Sequence, residues 1–77
     1  MTERVDDEEL MKALLPFRLM EGRIVGHQRS GESYRIICFF IVEAALPKIE
    51  IGFTYKKVGL NDITFSRPLK EINRFIL

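Results

Sequence analysis

Residues 35–43 read Arg-Ile-Ile-Cys-Phe-Phe-Ile-Val-Glu, seven consecutive apolar residues with a charge at each end. Four of the seven are β-branched and two are aromatic, which favours an extended backbone. The run is much shorter than the roughly 20 apolar residues that a membrane-spanning helix needs. A strand places alternate side chains on opposite faces. Because this run is apolar on both faces, we interpret it as the central strand of a sheet.

The size and composition of the chain predict one small globular domain, residues 1–77. Of its 77 residues, 47% are hydrophobic and 30% are charged. Residues 1–5 are expected to form a flexible acidic N-terminus. A chain of this size buries only about 60–65% of its unfolded surface, so self-association is a common way to gain stability. With a single cysteine and no signal-peptide pattern, we expect a cytoplasmic protein.

The segment after the N-terminus has the pattern of a short helix. Asp6 and Glu9 have capping-box spacing, and an acidic first turn suits the helix dipole. Apolar residues recur along one side of this segment, which is typical of a helix face that packs on a core. The stripe expected to be buried comprises Leu10, Met11, Leu14 and Leu15.

Pro16 is expected to end this helix, because a proline disfavours the helical conformation of the residue before it. Residues 17–29 are then predicted to form the first strand, since Ser30-Gly31 has the composition of a two-residue hairpin turn. A kinked continuation of the helix to Met20, capped by Gly22, is the alternative.

Two turn placements fix the register of three strands. The hairpin turn pairs Val25 with Ile36, and the loop 44–47 pairs Glu43 with Lys48, which brings opposite charges together. Residues 48–56 alternate between apolar and polar side chains, as a strand with one buried face does. The apolar pairs predicted on the core face are Val42–Ile49, Phe40–Ile51, Cys38–Phe53 and Ile36–Tyr55.

The remaining residues complete an α+β prediction. Residues 63–66 are predicted to form a short fourth strand whose Ile63 and Phe65 join the core, and Ser66 is expected to cap a C-terminal helix. The predicted architecture is therefore an N-terminal helix, an antiparallel meander of three to four strands, and a C-terminal helix.

The second face of the predicted sheet is the candidate functional feature. Large apolar side chains standing together in water form a patch that monomeric proteins usually cover. Three explanations are open: cover by a helix or by curling of the sheet into a barrel, homodimerisation, or a site for another partner. Basic residues surround the apolar stripe. The candidate partner-binding residues are Ile37, Phe39, Ile41, Arg18, Arg35, Lys48 and Lys56.

The distribution of charge and the scarcity of reactive side chains limit the function classes. Residues 1–11 carry a net charge of −4 and residues 12–77 a net charge of +5, so a basic surface is available for an anionic partner. His27, the only histidine, has no second ligand at metal-binding spacing, and Cys38 has no activating partner. We predict no catalytic residues, no cofactor and no metal site.

These observations favour a small non-enzymatic protein-interaction or regulatory module, such as an inhibitor, adaptor or immunity-type protein. It is expected to be homodimeric and to act through the apolar, basic-rimmed sheet face or through an edge strand, without a membrane partner. One alternative is a single-stranded nucleic-acid-binding protein that uses the same basic face. Another is an enzyme whose site is shared between subunits.

Overall fold

The computed structural model describes residues 5–76, in which one helix precedes five antiparallel strands. The predicted flexible N-terminus lies outside the described residues, except for Val5. The predicted α+β class is confirmed, and the C-terminal helix is a 3-10 helix. The elements in chain order are α1 Asp7–Arg18, β1 Ile24–His27, β2 Ser33–Ile41, a 3-10 turn Glu43–Ala45, β3 Ile51–Lys57, β4 Phe65–Pro68, a 3-10 helix Leu69–Arg74 and β5 Phe75–Ile76.

Helix α1 begins at the predicted cap and ends later than predicted. The carboxylate of Asp6 accepts a 3.2 Å hydrogen bond from the backbone N–H two residues further on. The helix then continues through Pro16 to Arg18, so the prediction of a strand from residue 17 is wrong. Pro16 removes one backbone hydrogen bond. The helical turn nevertheless places Phe17 against Phe39 of β2, with ring centroids 5.4 Å apart.

The β1–β2 hairpin turns through the four residues 28–31, and not through the predicted two. Gly31 adopts a φ of +71°, a left-handed conformation that glycine accepts at little steric cost. The longer loop pairs Val25 with Tyr34, where the sequence predicted Ile36. This error is a shift of two residues, which leaves the same side chains on each face of the sheet.

A β-bulge at Ile37 divides the pairing of β2 with β3 into two registers. Ile36 lies opposite Tyr55, as predicted. Beyond the extra residue, Phe39 lies opposite Phe53, and the alternation of side chains between the two faces is reversed. Phe39 therefore points into the core.

The predicted pairs Cys38–Phe53 and Phe40–Ile51 are wrong for the same reason. Cys38 lies opposite Thr54, and Phe40 lies opposite Gly52, on the side of the sheet away from Phe53. The buried hydrophobic core consists of Leu14, Val25, Ile36, Phe39, Phe53, Tyr55 and Phe75.

The sheet curls around this core. Its strand order is β4-β3-β2-β1-β5, so a flat sheet would separate the two outer strands by about 19 Å. A six-residue 3-10 helix, which spans only about 12 Å, joins them. Phe75 of β5 accordingly reaches Phe53 of β3, with ring centroids 5.6 Å apart. Curling of the sheet, one of the three explanations considered for the second face, therefore contributes to covering the apolar residues of β2.

Strand β4 differs from its prediction in position and burial. It begins at Phe65, so Ser66 lies within the strand and does not cap a helix. Ile63 and Phe65 were expected in the core but are 46% and 38% exposed. Because β4 is an outer strand of the sheet, Phe65 stacks on the edge of the core against Tyr55, at 5.5 Å between ring centroids, and is covered on one side only.

Two glycines of the sheet provide a matched test of this packing. A methyl group at Gly52 would overlap the ring of Phe40, whereas one at Gly26 would meet no atom within 4 Å. We expect Gly52→Ala to destabilise the protein by about 1–3 kcal/mol, because the Phe40 ring must move. Gly26→Ala should be neutral or stabilising by up to about 1 kcal/mol. Urea unfolding of both variants, followed by circular dichroism, measures the difference, and equal effects would contradict the Phe40–Gly52 contact.

Candidate interaction surface

The bulge separates the three apolar residues that were predicted to share an open sheet face. Phe39 is only 5% exposed and lies between Phe17 of α1 and Phe53 of β3. Ile41 is half-buried and packs against the same core. The prediction that Phe39 and Ile41 stand on an open face is therefore wrong, and the reversed alternation after Ile37 is the reason. Ile37 is 38% exposed and remains at the surface.

The bulge is held in place by the chain segment that follows α1. The carboxylate of Glu21 accepts a 3.0 Å hydrogen bond from the backbone N–H of Phe39. Gly22 donates its N–H to the carbonyl of Ile36 at 2.7 Å, and Ile36 in turn donates to the carbonyl of Arg23 at 2.9 Å. The backbone groups of β2 near the irregular pairing are thus bonded, which a buried bulge requires.

The outward side of the sheet next to the bulge brings three of the predicted site residues together. Arg35 and Lys56 are direct cross-strand partners, and Ile37 lies beside them. They line a shallow depression of about 410 Å³ with Lys57, Val58, Gly59 and Asn61. Ile24 of β1 pairs with Arg35 from the other side. We refer to Ile24, Arg35, Ile37, Lys56 and Val58 together as the outer patch.

The outer patch combines exposed apolar side chains with uncompensated positive charge. Ile24 and Val58 are 55% and 48% exposed. Within residues 5–76, neither Arg35 nor Lys56 has a carboxylate within ion-pair distance. Arg35 donates a 3.4 Å hydrogen bond to the carbonyl of Gly22, which leaves its charge in place. The patch therefore offers apolar contact area at a positively charged surface.

The charge of the neighbouring Lys57 is, in contrast, compensated by a carboxylate. Its ammonium group lies 2.6 Å from a carboxylate oxygen of Glu32, and the hydroxyl of Tyr34 donates to the other oxygen at 3.1 Å. The bond from Lys57, followed by the bond from Tyr34, holds the pKa of Glu32 below its usual range. The same contact raises the pKa of Lys57.

The Glu32 carboxylate gives a testable dependence of stability on pH. Because its pKa is lower in the folded state, it contributes stability above its unfolded-state pKa, and this contribution is lost as the pH falls through the folded-state pKa. We therefore expect Glu32→Gln to lose less stability than the unchanged protein between pH 5 and acidic conditions. Urea midpoints measured at several pH values check this, and parallel curves for the two proteins would contradict it.

The other two basic residues of the predicted set lie away from the depression. Lys48 precedes β3, pairs with Glu50 at 3.4 Å, and borders a separate depression with Val42 and Leu69. Arg18 is exposed in the last turn of α1. The structure therefore assembles Arg35, Ile37 and Lys56, but it does not place Lys48 with them.

His27 and Cys38, which were considered for metal binding and catalysis, make structural contacts. Nδ1 of His27 accepts hydrogen bonds from the backbone N–H groups of Arg29 and Ser30, at 3.3 and 3.4 Å, and so supports the hairpin turn. Its ring is half-buried and meets Phe75 edge-on, with ring centroids 5.2 Å apart. Cys38 was expected in the core, but it is half-buried outside it, with Sγ 3.2 Å from the hydroxyl of Thr54.

One exposed surface was missed by the sequence prediction. Met11 and Leu15 were placed in the buried stripe of α1, but both are exposed, as is Leu19 just beyond the helix. The i, i+4, i+8 spacing of these three residues was a visible signal. It was lost because the helix was expected to end at Pro16, which removed Leu19 from the pattern.

The described residues show neither a metal-binding cluster nor a membrane-spanning helix. No three His, Cys, Asp or Glu side chains between residues 5 and 76 are grouped so that they could hold a metal ion. The described helices are too short or too polar to cross a bilayer. The expected absence of catalysis and of a cofactor stays a prediction.

Comparison of the chain with models of protein families, with curated proteins and with solved structures finds no significant match.

Proposed function

We propose that this protein is a small, non-enzymatic, homodimeric interaction module with a regulatory role, which binds an acidic segment of a protein partner through the outer patch. The observation that supports the proposal most strongly is the position of Ile37 beside Arg35 and Lys56, two positive charges without an ion-pair partner in residues 5–76. An inhibitor or adaptor works by such binding alone.

The physical basis is the combination of apolar contact and charge. Burying a large aliphatic side chain contributes about 1.5–3 kcal/mol relative to leaving it exposed, so Ile24, Ile37 and Val58 are available for a partner to cover. Exposed charges beside them accelerate association with a partner of opposite charge and reject one of like charge. An acidic segment with interspersed apolar residues satisfies both requirements.

Burial of Phe39 and partial burial of Tyr34 favour a protein partner over single-stranded nucleic acid. Binding of unpaired bases relies on exposed rings on which the bases stack. Phe39, the one aromatic residue of the predicted partner-binding set, is buried in the core. Tyr34 is half-buried and its hydroxyl is bonded to Glu32. The outer patch itself contains no aromatic residue.

The outer strands of the sheet offer a partner fewer contacts than the outer patch does. Strand β4 has four residues and ends at Pro68, which cannot donate a backbone hydrogen bond. Strand β5 has only two residues. Addition of a partner strand at either edge would therefore form few backbone hydrogen bonds, so the proposal rests on the face and not on an edge.

Direct titration tests the proposed class of partner. A fluorescently labelled peptide of alternating Glu and Leu should bind saturably by fluorescence anisotropy, and the matching Lys-Leu peptide should not. Binding of the Glu-Leu peptide should weaken as salt is added, because its carboxylates contact exposed charges. Binding of an oligothymidine in preference to the Glu-Leu peptide, with a steep dependence on salt, would replace the proposal with nucleic-acid recognition. Binding of neither probe would overturn it.

A further inference from the structure

A second basic surface lies where the β1–β2 hairpin meets the C-terminal segment. Gln28 donates its backbone N–H to the carbonyl of Arg74 at 2.9 Å, one step beyond the pairing of His27 with Phe75. This contact joins distant parts of the chain and brings Arg29 and Arg74 to one depression of about 360 Å³. His27 and Gln28 also line it.

A second depression, of about 520 Å³, adjoins the first. It shares Gln28 and Arg74 with the first depression and adds Lys70 and Asn73 of the 3-10 helix. Side chains three residues apart are aligned in a 3-10 helix, so Lys70 and Asn73 lie on the same side of it. The two depressions share no lining residue with the outer patch. We refer to Gln28, Arg29, Lys70, Asn73 and Arg74 together as the hairpin cleft.

The positive charge of the hairpin cleft is largely uncompensated. In the described part of the chain, neither Arg29 nor Lys70 has a carboxylate within ion-pair distance. Arg74 makes only a 3.9 Å contact with Glu71, which also borders the cleft. The same carboxylate oxygen of Glu71 lies 2.8 Å from Arg67. Three cations therefore surround one carboxylate that is already bonded to a fourth.

His27 adds an unpaired hydrogen-bond donor beside the cleft. Its Nδ1 accepts the backbone N–H groups of Arg29 and Ser30, so the neutral ring carries its proton on Nε2. This N–H is buried and has no acceptor among the described residues. Buried donors without a partner are rare in folded proteins, and an anion bound nearby would offset the positive end of this one.

The donors of the hairpin cleft suit a phosphate group. Guanidinium groups bind phosphate oxygens through paired hydrogen bonds, and the side-chain amides of Gln28 and Asn73 add further N–H donors. A terminal phosphate offers three strong acceptor oxygens, whereas a carboxylate offers two, so phosphate can engage more of these groups at once. No Phe or Tyr among the described residues lines either depression as a platform for nucleobases, which favours a small ligand over nucleic acid.

We propose that the hairpin cleft binds a small phosphorylated molecule, and that its two adjoining depressions take two linked phosphate groups. Arg29 holds the ligand from the hairpin turn, while Lys70 and Arg74 hold it from the C-terminal segment. The bound ligand thus connects two parts of the chain that β5, a strand of two residues, pairs only briefly. This site goes beyond the proposed function and does not depend on it.

Titration with inorganic pyrophosphate tests the site. It is added to ¹⁵N-labelled protein at an ionic strength held constant with sodium chloride, and the amide shifts are followed. Saturable shifts are expected at the residues of the hairpin cleft, with little change at Lys56. Arg29→Gln and Arg74→Gln should each weaken binding at least tenfold. The matched control Arg23→Gln removes the same charge from an exposed arginine outside the cleft and should weaken binding less than twofold.

The outcomes separate this site from the outer patch. Lys56→Glu should still bind pyrophosphate, and Arg74→Gln should still bind the Glu-Leu peptide and remain folded by circular dichroism, since its side chain is exposed. An absence of saturable shifts, or equal losses for Arg74→Gln and Arg23→Gln, would overturn the hairpin cleft whatever the result with the peptide. Tighter binding of oligothymidine at the same amides would replace the small phosphorylated ligand with nucleic acid.

Discussion

Replacing Phe39 by alanine is expected to destabilise the protein by about 3–5 kcal/mol, which is the usual effect of removing a buried phenylalanine. A domain of 77 residues has a total stability of only about 4–12 kcal/mol. Phe39→Ala should therefore remove at least about a quarter of the total stability, and all of it if that total lies near its lower bound. The ring contacts Phe17 and Phe53, so its removal opens a cavity between the helix and the sheet.

The adjacent Phe40 is the matched control for this prediction. Its ring is half-buried over Gly52, on the side of the sheet away from the core. Phe40→Ala should cost about 1 kcal/mol and leave a cooperative unfolding transition. Without the bulge at Ile37, the alternation along β2 would make Phe40 the core residue. Phe40→Ala would then cost more stability than Phe39→Ala. Urea unfolding of the two variants distinguishes these cases, and a larger loss for Phe40→Ala than for Phe39→Ala would contradict the described register.

Reversing the charge of Lys56 is expected to have the largest effect on binding of an acidic peptide. The change replaces an attraction at the outer patch by a repulsion. We expect Lys56→Glu to weaken binding of the Glu-Leu peptide at least tenfold, with the association rate falling more than the dissociation rate rises. The side chain takes part in no described ion pair, so the fold should tolerate the change. Stopped-flow fluorescence measures both rates.

Lys48→Glu is the control for net charge. It changes the total charge of the protein by the same amount, but Lys48 lies before β3 and Lys56 near its end, roughly 20–26 Å of extended chain away. At physiological ionic strength the Debye length is about 8 Å, so a charge at this distance is largely screened. Binding of the Glu-Leu peptide should change by less than about twofold. A loss as large as that of Lys56→Glu would mean that overall charge, and not the outer patch, determines binding.

The sequence predicted the fold class and part of the pairing because those features depend on local patterns. The acidic turn before Leu10 marked the start of α1, and the charged ends of residues 35–43 marked the central strand. The pairing of Ile36 with Tyr55 followed from the placement of the 44–47 loop, which the clean alternation of residues 48–56 supported. Each of these predictions used residues whose neighbours differ clearly in polarity.

The bulge at Ile37 could not be predicted in the same way. Residues 36–42 are apolar throughout, so shifting the alternation by one residue leaves an equally apolar face. Tertiary contacts decide which of the two alternations forms. Phe17 of α1 packs against Phe39, and the carboxylate of Glu21 accepts a hydrogen bond from the Phe39 N–H. Both contacts come from a segment that was predicted as a strand.

Because the bulge was not predicted, some residues were wrongly assigned to the candidate site, whereas others are correctly placed in it. Arg35, Ile37 and Lys56 were identified because a strand register places them near one another, and the register holds on their side of the bulge. Phe39 and Ile41 were assigned to the same face on the assumption of unbroken alternation. Val58 was overlooked because it lies between the predicted strands 48–56 and 63–66, outside the sheet face that was searched for a site.

Mapping of the peptide-binding site by nuclear magnetic resonance tests the central claim most directly. The unlabelled Glu-Leu peptide is added to uniformly ¹⁵N-labelled protein, and the backbone amide shifts are followed to saturation. The outer patch predicts that the largest shifts fall on Ile24, Arg35, Ile37, Lys56 and Val58, with little change at His27 or Lys48. Shifts concentrated at the hairpin turn beside His27 or at the depression beside Lys48, or an absence of shifts at saturating peptide, would contradict it.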